Sequence, residues 1–227
     1  MQRVLADSVR LELEESSGVS IQFTDDATIA YEAAFAGDPG VLFMAGTGSM
    51  VLVRAVDGTY VRSGGWGNVL GDEGSGYSIG RAGLRAVAAS IDADNPTALT
   101  ARAEVELGIV TRDALIEKVY GSDYSLASFA RAVLEEAGRG DSEALKLVDR
   151  EIRQLVNRLY ALIELYGFDV TATFTSGIKV TGGLSKSRPY MLNLSNVIQE
   201  RFPAWKIARS GHEPVEGALW MATQMSN

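Results

Sequence analysis

Two glycine-rich segments lie close together in the first half of the chain, and their residue types suit the binding of a ligand. The first, Gly46–Ser49 with the sequence GTGS, directly follows the apolar run Val41–Ala45, and the second spans Gly64–Ser75. A turn of this composition at the end of a strand can direct several backbone N–H groups and two hydroxyls to one point, and such an arrangement binds phosphate oxygens. The alternative is a tight hairpin turn, because Met50–Val56 has the pattern of a second strand.

A pair of carboxylates, Asp25 and Asp26, lies between the alternating segment Val19–Phe23 and the alanine-rich segment Ala27–Phe35. The first segment is predicted to be a strand and the second a helix. A carboxylate at the carboxyl end of a strand, next to the start of a helix, lies where α/β sheets bind ligands. The alternative is that Asp25 or Asp26 only caps the helix.

The elements that must position these residues follow from hydrophobic periodicity and turn signals. Strands are predicted over Val41–Ala45, Met50–Val56, Thr59–Arg62, Ile178–Thr181 and Ala204–Arg209. Helices are predicted over Val4–Leu13, Tyr77–Ile91 and Leu126–Ala137, the last of them capped by Ser125, and two short helices are predicted within Thr97–Tyr120. Three further helices are predicted from Asp141 to Gly167, from Ser187 to Arg201 and from Pro214 onward. Because Gly182-Gly183 directly follows a predicted strand and precedes a helix, it forms a second turn suited to a phosphate or a nucleotide.

Composition and charge exclude several classes of function. The 227 residues include 21 Lys and Arg against 29 Asp and Glu, and the net charge of −8 argues against a nucleic-acid surface, which needs a basic patch. The chain has no cysteine and one histidine, His212, so disulfides, zinc–thiolate sites and iron–sulfur clusters are excluded and a histidine-based metal site is not expected. His212 is interpreted as a surface residue. No apolar run reaches the about 20 residues of a membrane span, and the first residues lack a signal-peptide core, so we expect a cytoplasmic protein.

The order GTGS, GGWG and GDEGSGYSIGR, read from Gly46 to Arg81, resembles the N-acetylglucosamine kinase branch of the actin/hexokinase-like ATPases. That branch includes the BadF/BadG/BcrA/BcrD-type ATPases, and the resemblance extends from about Ile21 to Ala222. It implies an α/β protein with the actin-like ATPase (ribonuclease H-like) fold, a mixed sheet flanked by helices. It also implies phosphoryl transfer from ATP, accompanied by Mg²⁺, to an amino sugar, either N-acetylglucosamine or glucosamine.

The resemblance implies a role for each residue that matches a family motif. Asp26 is implied as the general base that takes a proton from a sugar hydroxyl. Glu73 is interpreted as the cap of the helix that begins near Ser75 or as a residue that orients Asp72, and Trp66 as a residue beside the sugar or a core or wall residue. The implied ligand contacts are Gly46, Thr47, Gly48 and Ser49 for the ATP phosphates, Gly65, Trp66, Gly67 and Asp72 for the sugar, and Ser128, Gly182, Gly183 and Pro214 for the nucleoside.

The sequence departs from the family pattern at its start. The family begins with a strand and an Asp-Gly-Gly-Gly-Thr turn that grips the β- and γ-phosphates, and no such motif occurs here. We therefore expect an incomplete first lobe over residues 1–39 and a second lobe over residues 40–227 with a helical insertion near 92–124. Three explanations for the missing part of the first lobe are open. The gene model starts too late, another chain supplies the lobe, or the chain is a decayed kinase that binds without turnover.

A second function follows from that departure. An incomplete sheet exposes an unpaired edge, so the alternative is a non-catalytic nucleotide- or sugar-binding module that pairs through this edge as a homodimer. The activators of radical dehydratases, which belong to the same superfamily, carry an iron–sulfur cluster, and some bacterial sugar kinases contain zinc. The absence of cysteine argues against both branches.

Overall fold

The computed structural model describes residue 13, residues 21–168 and residues 177–225. In chain order the elements are α1 (Asp26–Phe35), β1 (Gly40–Ala45), β2 (Ser49–Arg54), β3 (Tyr60–Gly64), α2 (Gly76–Asp92), α3 (Ala98–Leu107), α4 (Arg112–Tyr120), a 3₁₀ turn (Leu126–Phe129), α5 (Ala130–Gly138), α6 (Ser142–Tyr166), β4 (Ile178–Thr181), a second 3₁₀ turn (Gly183–Lys186), α7 (Arg188–Arg201), β5 (Ile207–Arg209) and α8 (Pro214–Met225).

The chain divides into two compact units, residues 1–37 with 210–227 and residues 38–209. The helix predicted over residues 4–13 lies outside the described residues except for Leu13, which is helical. Residues 19 and 20 also lie outside the described residues. Residues 21–25 belong to no strand or helix, so residues 21–23 do not form the strand that was predicted over residues 19–23.

The first unit is built on the packing of α1 against α8. Gly217 is buried in this contact, and a Cβ added to it would overlap the carbonyl oxygen of Ile29 and come within 3.0 Å of the Cα of Ala33. Only glycine therefore permits this close approach of the two helices. This contact places residues 210–227 with the first unit, whereas the sequence analysis had assigned them to the second.

The second unit is organised around a five-stranded sheet with the order β3-β2-β1-β4-β5. The strands β1, β2 and β3 form an antiparallel meander, and β4 and β5 add in parallel to β1. The register pairs Val41 with Ile178 and Met44 with Thr181. The predicted α/β fold, a mixed sheet flanked by helices, is confirmed.

The long helix α6 supplies much of the core of the second unit. It begins at the cap Asp141, whose carboxylate accepts the N–H of Ala144 at 2.8 Å, and ends at Gly167 in the left-handed conformation, as predicted. Its buried stripe includes Val148, Ile152 and Leu155, in the pattern of a helix that buries one face. This stripe anchors the loops described below.

A seam of glycines on α2 lets the first 3₁₀ turn and α5 approach closely. A Cβ on Gly80 would overlap the carbonyl oxygen of Leu126, and a Cβ on Gly83 would overlap the side chain of Val133.

The two short helices predicted within Thr97–Tyr120 are present as α3 and α4. Among the helices of residues 21–168 and 177–225, none has the length and hydropathy of a membrane span.

Replacing Gly80 by alanine tests this seam. Alanine has the higher helix propensity by about 1 kcal/mol, but here its methyl group would press on the backbone of Leu126. We expect the free energy of unfolding to fall by about 3 kcal/mol in urea denaturation. Ala89→Gly, at an exposed position of the same helix, measures the propensity term alone, and a more stable Gly80→Ala protein would contradict the packing.

Candidate functional site

The two turns that the sequence analysis assigned to nucleotide binding lie side by side. The parallel strands β1 and β4 are in register at Met44 and Thr181, so the segments that follow both strands leave the same edge of the sheet. A Cβ on Gly182 would overlap the carbonyl oxygen of Ala45 and lie 3.1 Å from the backbone nitrogen of Gly46. Ligands of α/β sheets bind at this end of the strands.

The Gly46–Ser49 turn is both a hairpin and a candidate phosphate site. The N–H of Gly46 donates to the carbonyl of Gly48 at 2.9 Å, and the N–H of Ser49 donates to Asp72 Oδ1 at 3.1 Å. Within the described part of the chain, no acceptor meets the N–H groups of Thr47 and Gly48, and Thr47 is exposed. Two of the four predicted residues therefore offer N–H groups to a ligand.

Asp72 joins the second glycine-rich segment to this turn. The residue is 7% exposed, and a Cβ on Gly48 would lie 2.9 Å from its Oδ2 atom. Its backbone has a φ of 64°, in the left-handed region that non-glycine residues rarely adopt. The hydroxyl of Ser49 donates to the carbonyl of Glu73 at 2.7 Å and adds a second bond between the segments.

The first turn of α2 also holds the Gly46–Ser49 turn. The N–H groups of Gly76 and Tyr77 donate to the carbonyls of Gly46 and Thr47 at 2.8 and 3.1 Å. The next N–H, that of Ser78, donates to the hydroxyl of Ser75, which is the cap of the helix. Three N–H groups of this helix start are thus bound within the protein.

Glu73 does not cap α2, because Ser75 does. Its carboxylate forms an ion pair with Arg158 on α6, which donates from Nε at 3.0 Å and from Nη2. The pairing requires a residue 85 positions away in the chain, so no local pattern announced it. Arg158 was missed by the sequence analysis.

Tyr190 on α7 is a second residue that the sequence analysis missed. Its side chain is fully buried, and its hydroxyl donates to the carbonyl of Gly74 at 2.8 Å. Burial raises the pKa of Tyr190 far above the ordinary value for a phenol, so the group stays protonated and remains a donor. A Cβ on Gly74 would lie 2.7 Å from the Cβ of Leu155, so α6 and α7 fix this turn together.

The predicted sugar-binding loop is open to solvent. Gly65 and Gly67 have positive φ angles, and Trp66 between them is 70% exposed, which excludes the interpretation of Trp66 as a core residue. The N–H of Gly65 donates to the carbonyl of Ser49 at 3.0 Å, so the loop begins beside the phosphate turn.

The predicted nucleoside contacts fall in both units. Ser128 is exposed in the first 3₁₀ turn, and Ser125 makes no side-chain capping bond because α5 begins only at Ala130. Gly183 is exposed next to Gly182, with open space where a Cβ would lie. Pro214 opens α8 in the unit formed by residues 1–37 and 210–227.

The structure separates the roles of the two adjacent aspartates. The carboxylate of Asp25 accepts the N–H of Thr28 at 2.7 Å and caps α1. Asp26 is the first residue of the helix, and its side chain is exposed. The capping interpretation therefore applies to Asp25.

In the same unit His212 is a surface residue, as predicted, 2.8 Å from Glu216.

Within residues 21–168 and 177–225, no group of three or more His, Cys, Asp or Glu side chains is arranged to hold a metal ion. The Gly46–Ser49 turn offers N–H donors, which suit the oxygens of a phosphate and not a cation. A divalent ion would then enter with the phosphates and be held chiefly by their oxygens and by water.

Tyr190→Phe tests the support of the Gly74 turn. The change leaves the buried carbonyl of Gly74 without its hydrogen-bond donor. We expect the free energy of unfolding, measured by guanidinium denaturation, to fall by about 1–2 kcal/mol. Tyr160→Phe is the control, because the hydroxyl of Tyr160 donates at 3.3 Å from a partly exposed position. Equal losses in the two variants would contradict a special role for Tyr190.

Comparison with known proteins finds two sugar kinases that are similar in sequence to this chain. The N-acetylmuramic acid/N-acetylglucosamine kinase of Clostridium acetobutylicum is 27% identical over 203 residues, which are 87% of this chain and 65% of the relative. The N-acetyl-D-glucosamine kinase of Dictyostelium discoideum is 30% identical over 217 residues, 92% of this chain and 67% of the relative. The chain thus spans about two thirds of the length of these relatives.

The fold is shared with solved structures. A proposed N-acetylglucosamine kinase from Chromobacterium violaceum aligns with a TM-score of 0.71 and 24% identity, covering 88% of this chain and 65% of that one. A ROK family protein from Streptococcus pneumoniae aligns with a TM-score of 0.55 and 15% identity, covering 95% and 70%. The model of the BadF/BadG/BcrA/BcrD ATPase family matches residues 3–222, nearly the whole sequence, and the chain therefore belongs to the BadF/BadG/BcrA/BcrD ATPase family.

Proposed function

We propose that the protein transfers a phosphoryl group from ATP to an amino sugar, N-acetylglucosamine or glucosamine. The observation that carries the proposal is the bond between Asp72 and the N–H of Ser49, which joins a candidate sugar-binding residue to a candidate phosphate turn. The names of the relatives support it and add N-acetylmuramic acid as a further candidate substrate. A cytoplasmic location and pairing of two copies stay predictions.

In this proposal the phosphates of ATP lie against the Gly46–Ser49 turn. The N–H groups of Thr47 and Gly48 and the hydroxyl of Thr47 are the donors, since the turn's other N–H groups are bound within the protein. Mg²⁺ accompanies ATP and neutralises phosphate charge when bound. The nucleoside lies by the adjacent Gly182-Gly183 turn, where the backbone is exposed.

The sugar lies between the Gly65–Gly67 loop and Asp72. One carboxylate oxygen of Asp72 is used by the N–H of Ser49, so Oδ2 is the acceptor for a sugar hydroxyl or amide. A bond from a neutral donor to a carboxylate contributes about 1.5–3 kcal/mol. The same side chain would thereby hold the acceptor sugar at a fixed distance from the turn that holds the donor phosphate, and phosphoryl transfer depends mainly on such positioning.

Asp26 is the proposed general base. Its exposed carboxylate is not the helix cap, because Asp25 fills that position. It would accept the proton of the attacking sugar hydroxyl, and the oxygen would attack the γ-phosphorus as the bond to the leaving ADP oxygen breaks.

Asp26→Asn should abolish the base while keeping the size of the side chain. We expect sugar-dependent ADP release by the purified protein to fall by about 10²–10⁴-fold, with the Kd for ATP unchanged. Asp25→Asn is the matched control, since asparagine caps a helix as well as aspartate does, and it should keep full turnover. Undiminished turnover in Asp26→Asn would remove Asp26 as the base, and no sugar-dependent release by the wild-type protein would overturn the proposed function.

Asp72→Asn separates the two uses of that carboxylate. Asparagine can still accept the N–H of Ser49, but it carries no charge toward the sugar. We expect the KM for the sugar to rise by about 10-fold or more, with little change in the Kd for ATP. If nucleotide affinity fell and the sugar KM did not change, Asp72 would serve the phosphate turn alone.

A further inference from the structure

Arg158 on α6 lies against the chain on both sides of Asp72, the candidate sugar-binding carboxylate. Its Nε and Nη2 atoms donate to the same oxygen of Glu73, Oε2, at 3.0 Å from Nε. A Cβ on Gly71 would lie 3.5 Å from Nη2 of the same guanidinium group. One side chain of a distant helix therefore lies beside the residue before Asp72 and binds the residue after it.

Gly71 also connects Arg158 to the open loop that carries other candidate sugar contacts. The N–H of Gly71 donates to the carbonyl of Gly67 at 2.9 Å, and a Cβ on Gly71 would lie 3.4 Å from the Cβ of Trp66. Because the backbone at Gly71 adjoins both of these residues, a displacement of the guanidinium group would reach them as well as Asp72.

The support and the loop differ in how firmly they are held. Leu155 and Leu159, on either side of Arg158 in α6, are fully buried, so the helix is fixed by the core at this point. In the loop, Val69 and Leu70 are 85% and 76% exposed. A segment that buries so little side-chain surface opens easily unless a neighbouring element holds it. Arg158 provides such a contact from the core.

The pair of Arg158 and Glu73 is exclusive in the part of the chain that the structure describes. Over residues 21–168 and 177–225, neither side chain forms an ion pair with any other residue. Arginine presents several N–H donors in one rigid plane, whereas the ammonium group of lysine is a point charge on a flexible chain. The pair therefore fixes the direction of the loop in addition to balancing a charge.

We propose that Arg158 is a positioning residue for sugar binding, which acts through Glu73 and Gly71 to set the direction of Asp72. This inference rests on the proposed function and deepens it, because it adds a residue of α6 to those that determine affinity for the sugar. Binding groups must be held within about 0.5 Å of their productive geometry by such supporting contacts. Loss of the guanidinium group would leave Asp72 present but misdirected.

Steady-state kinetics of the full chain with Mg-ATP and N-acetylglucosamine test the proposal. For Arg158→Met we expect the KM for the sugar to rise about 10-fold or more, with a smaller change in kcat. The Kd for ATP should stay unchanged, because the N–H groups of Gly76 and Tyr77 hold the phosphate turn independently. Arg158→Lys should recover only part of the affinity for the sugar, since it keeps the charge without the rigid plane of donors.

Arg153→Met is the matched control. Arg153 lies on the same helix and pairs with Asp149 at 2.8 Å and with Glu200 at 2.6 Å, so its replacement removes ion pairs of α6 that do not involve the loop. We expect an unchanged KM for the sugar. Glu73→Gln completes a double-mutant cycle. Because Arg158 acts largely through Glu73, adding Glu73→Gln to Arg158→Met should raise the KM little further.

The outcomes separate this inference from the proposed function. An unchanged KM for the sugar in Arg158→Met, an equal rise in Arg153→Met, or fully additive effects in the cycle would overturn the positioning role, while turnover of the sugar still supported the kinase. If Arg158→Met does not fold, Glu73→Gln alone carries the test, and an unchanged KM in that variant overturns the proposal. If the wild-type protein neither bound nor phosphorylated the sugar, the proposed function would fail and the positioning role with it.

Discussion

The hydrogen bond from the N–H of Ser49 to the carboxylate of Asp72 is the contact on which the candidate site depends. It joins the end of the β1–β2 hairpin to the loop before α2, and both partners are buried. A buried carboxyl group is costly without a hydrogen-bond partner, and the N–H of Ser49 is a partner for Asp72. The bond also holds Asp72 in a left-handed backbone conformation that an isolated loop would avoid.

The loop around Asp72 is held by helices from a distant part of the sequence. Glu73 is paired to Arg158 on α6, and the carbonyl of Gly74 accepts the hydroxyl of Tyr190 on α7. Leu155 leaves no room for a side chain at Gly74. The loop is therefore supported by the hydrophobic core on one side, while its other side faces the Gly46–Ser49 turn. Binding groups supported in this way keep their geometry without help from the ligand.

Local patterns in the sequence were sufficient for most of the elements in the described residues. The hairpin at Gly46–Ser49, the cap at Asp141 and the end of α6 at Gly167 follow from residues within a few positions of each other. The same holds for the Gly182-Gly183 turn, because a strand, the two glycines and helical residues occur there in direct succession.

What the sequence could not supply depends on contacts between distant residues. Glu73 was expected either to cap α2 or to orient Asp72. Its carboxylate pairs with Arg158, and Ser75 caps the helix. Ser125 was expected to cap a helix that in the structure begins later, since the backbone of Leu126 packs on Gly80 of α2. The fit of Gly217 against α1 likewise involves two ends of the chain.

The parallel pair at the centre of the sheet sets the order in which the second unit can assemble. The meander β1–β3 forms from neighbouring residues, but β1 acquires β4 only when Val41 meets Ile178, after α2–α6 have been made. Pairings over such a separation carry a large loop-closure entropy and form slowly. During synthesis from the N-terminus, the Gly46–Ser49 turn is therefore complete long before Gly182 arrives beside it. The nascent chain holds an open strand at β1 for that interval, which makes this strand the point where a misfolded pairing would begin.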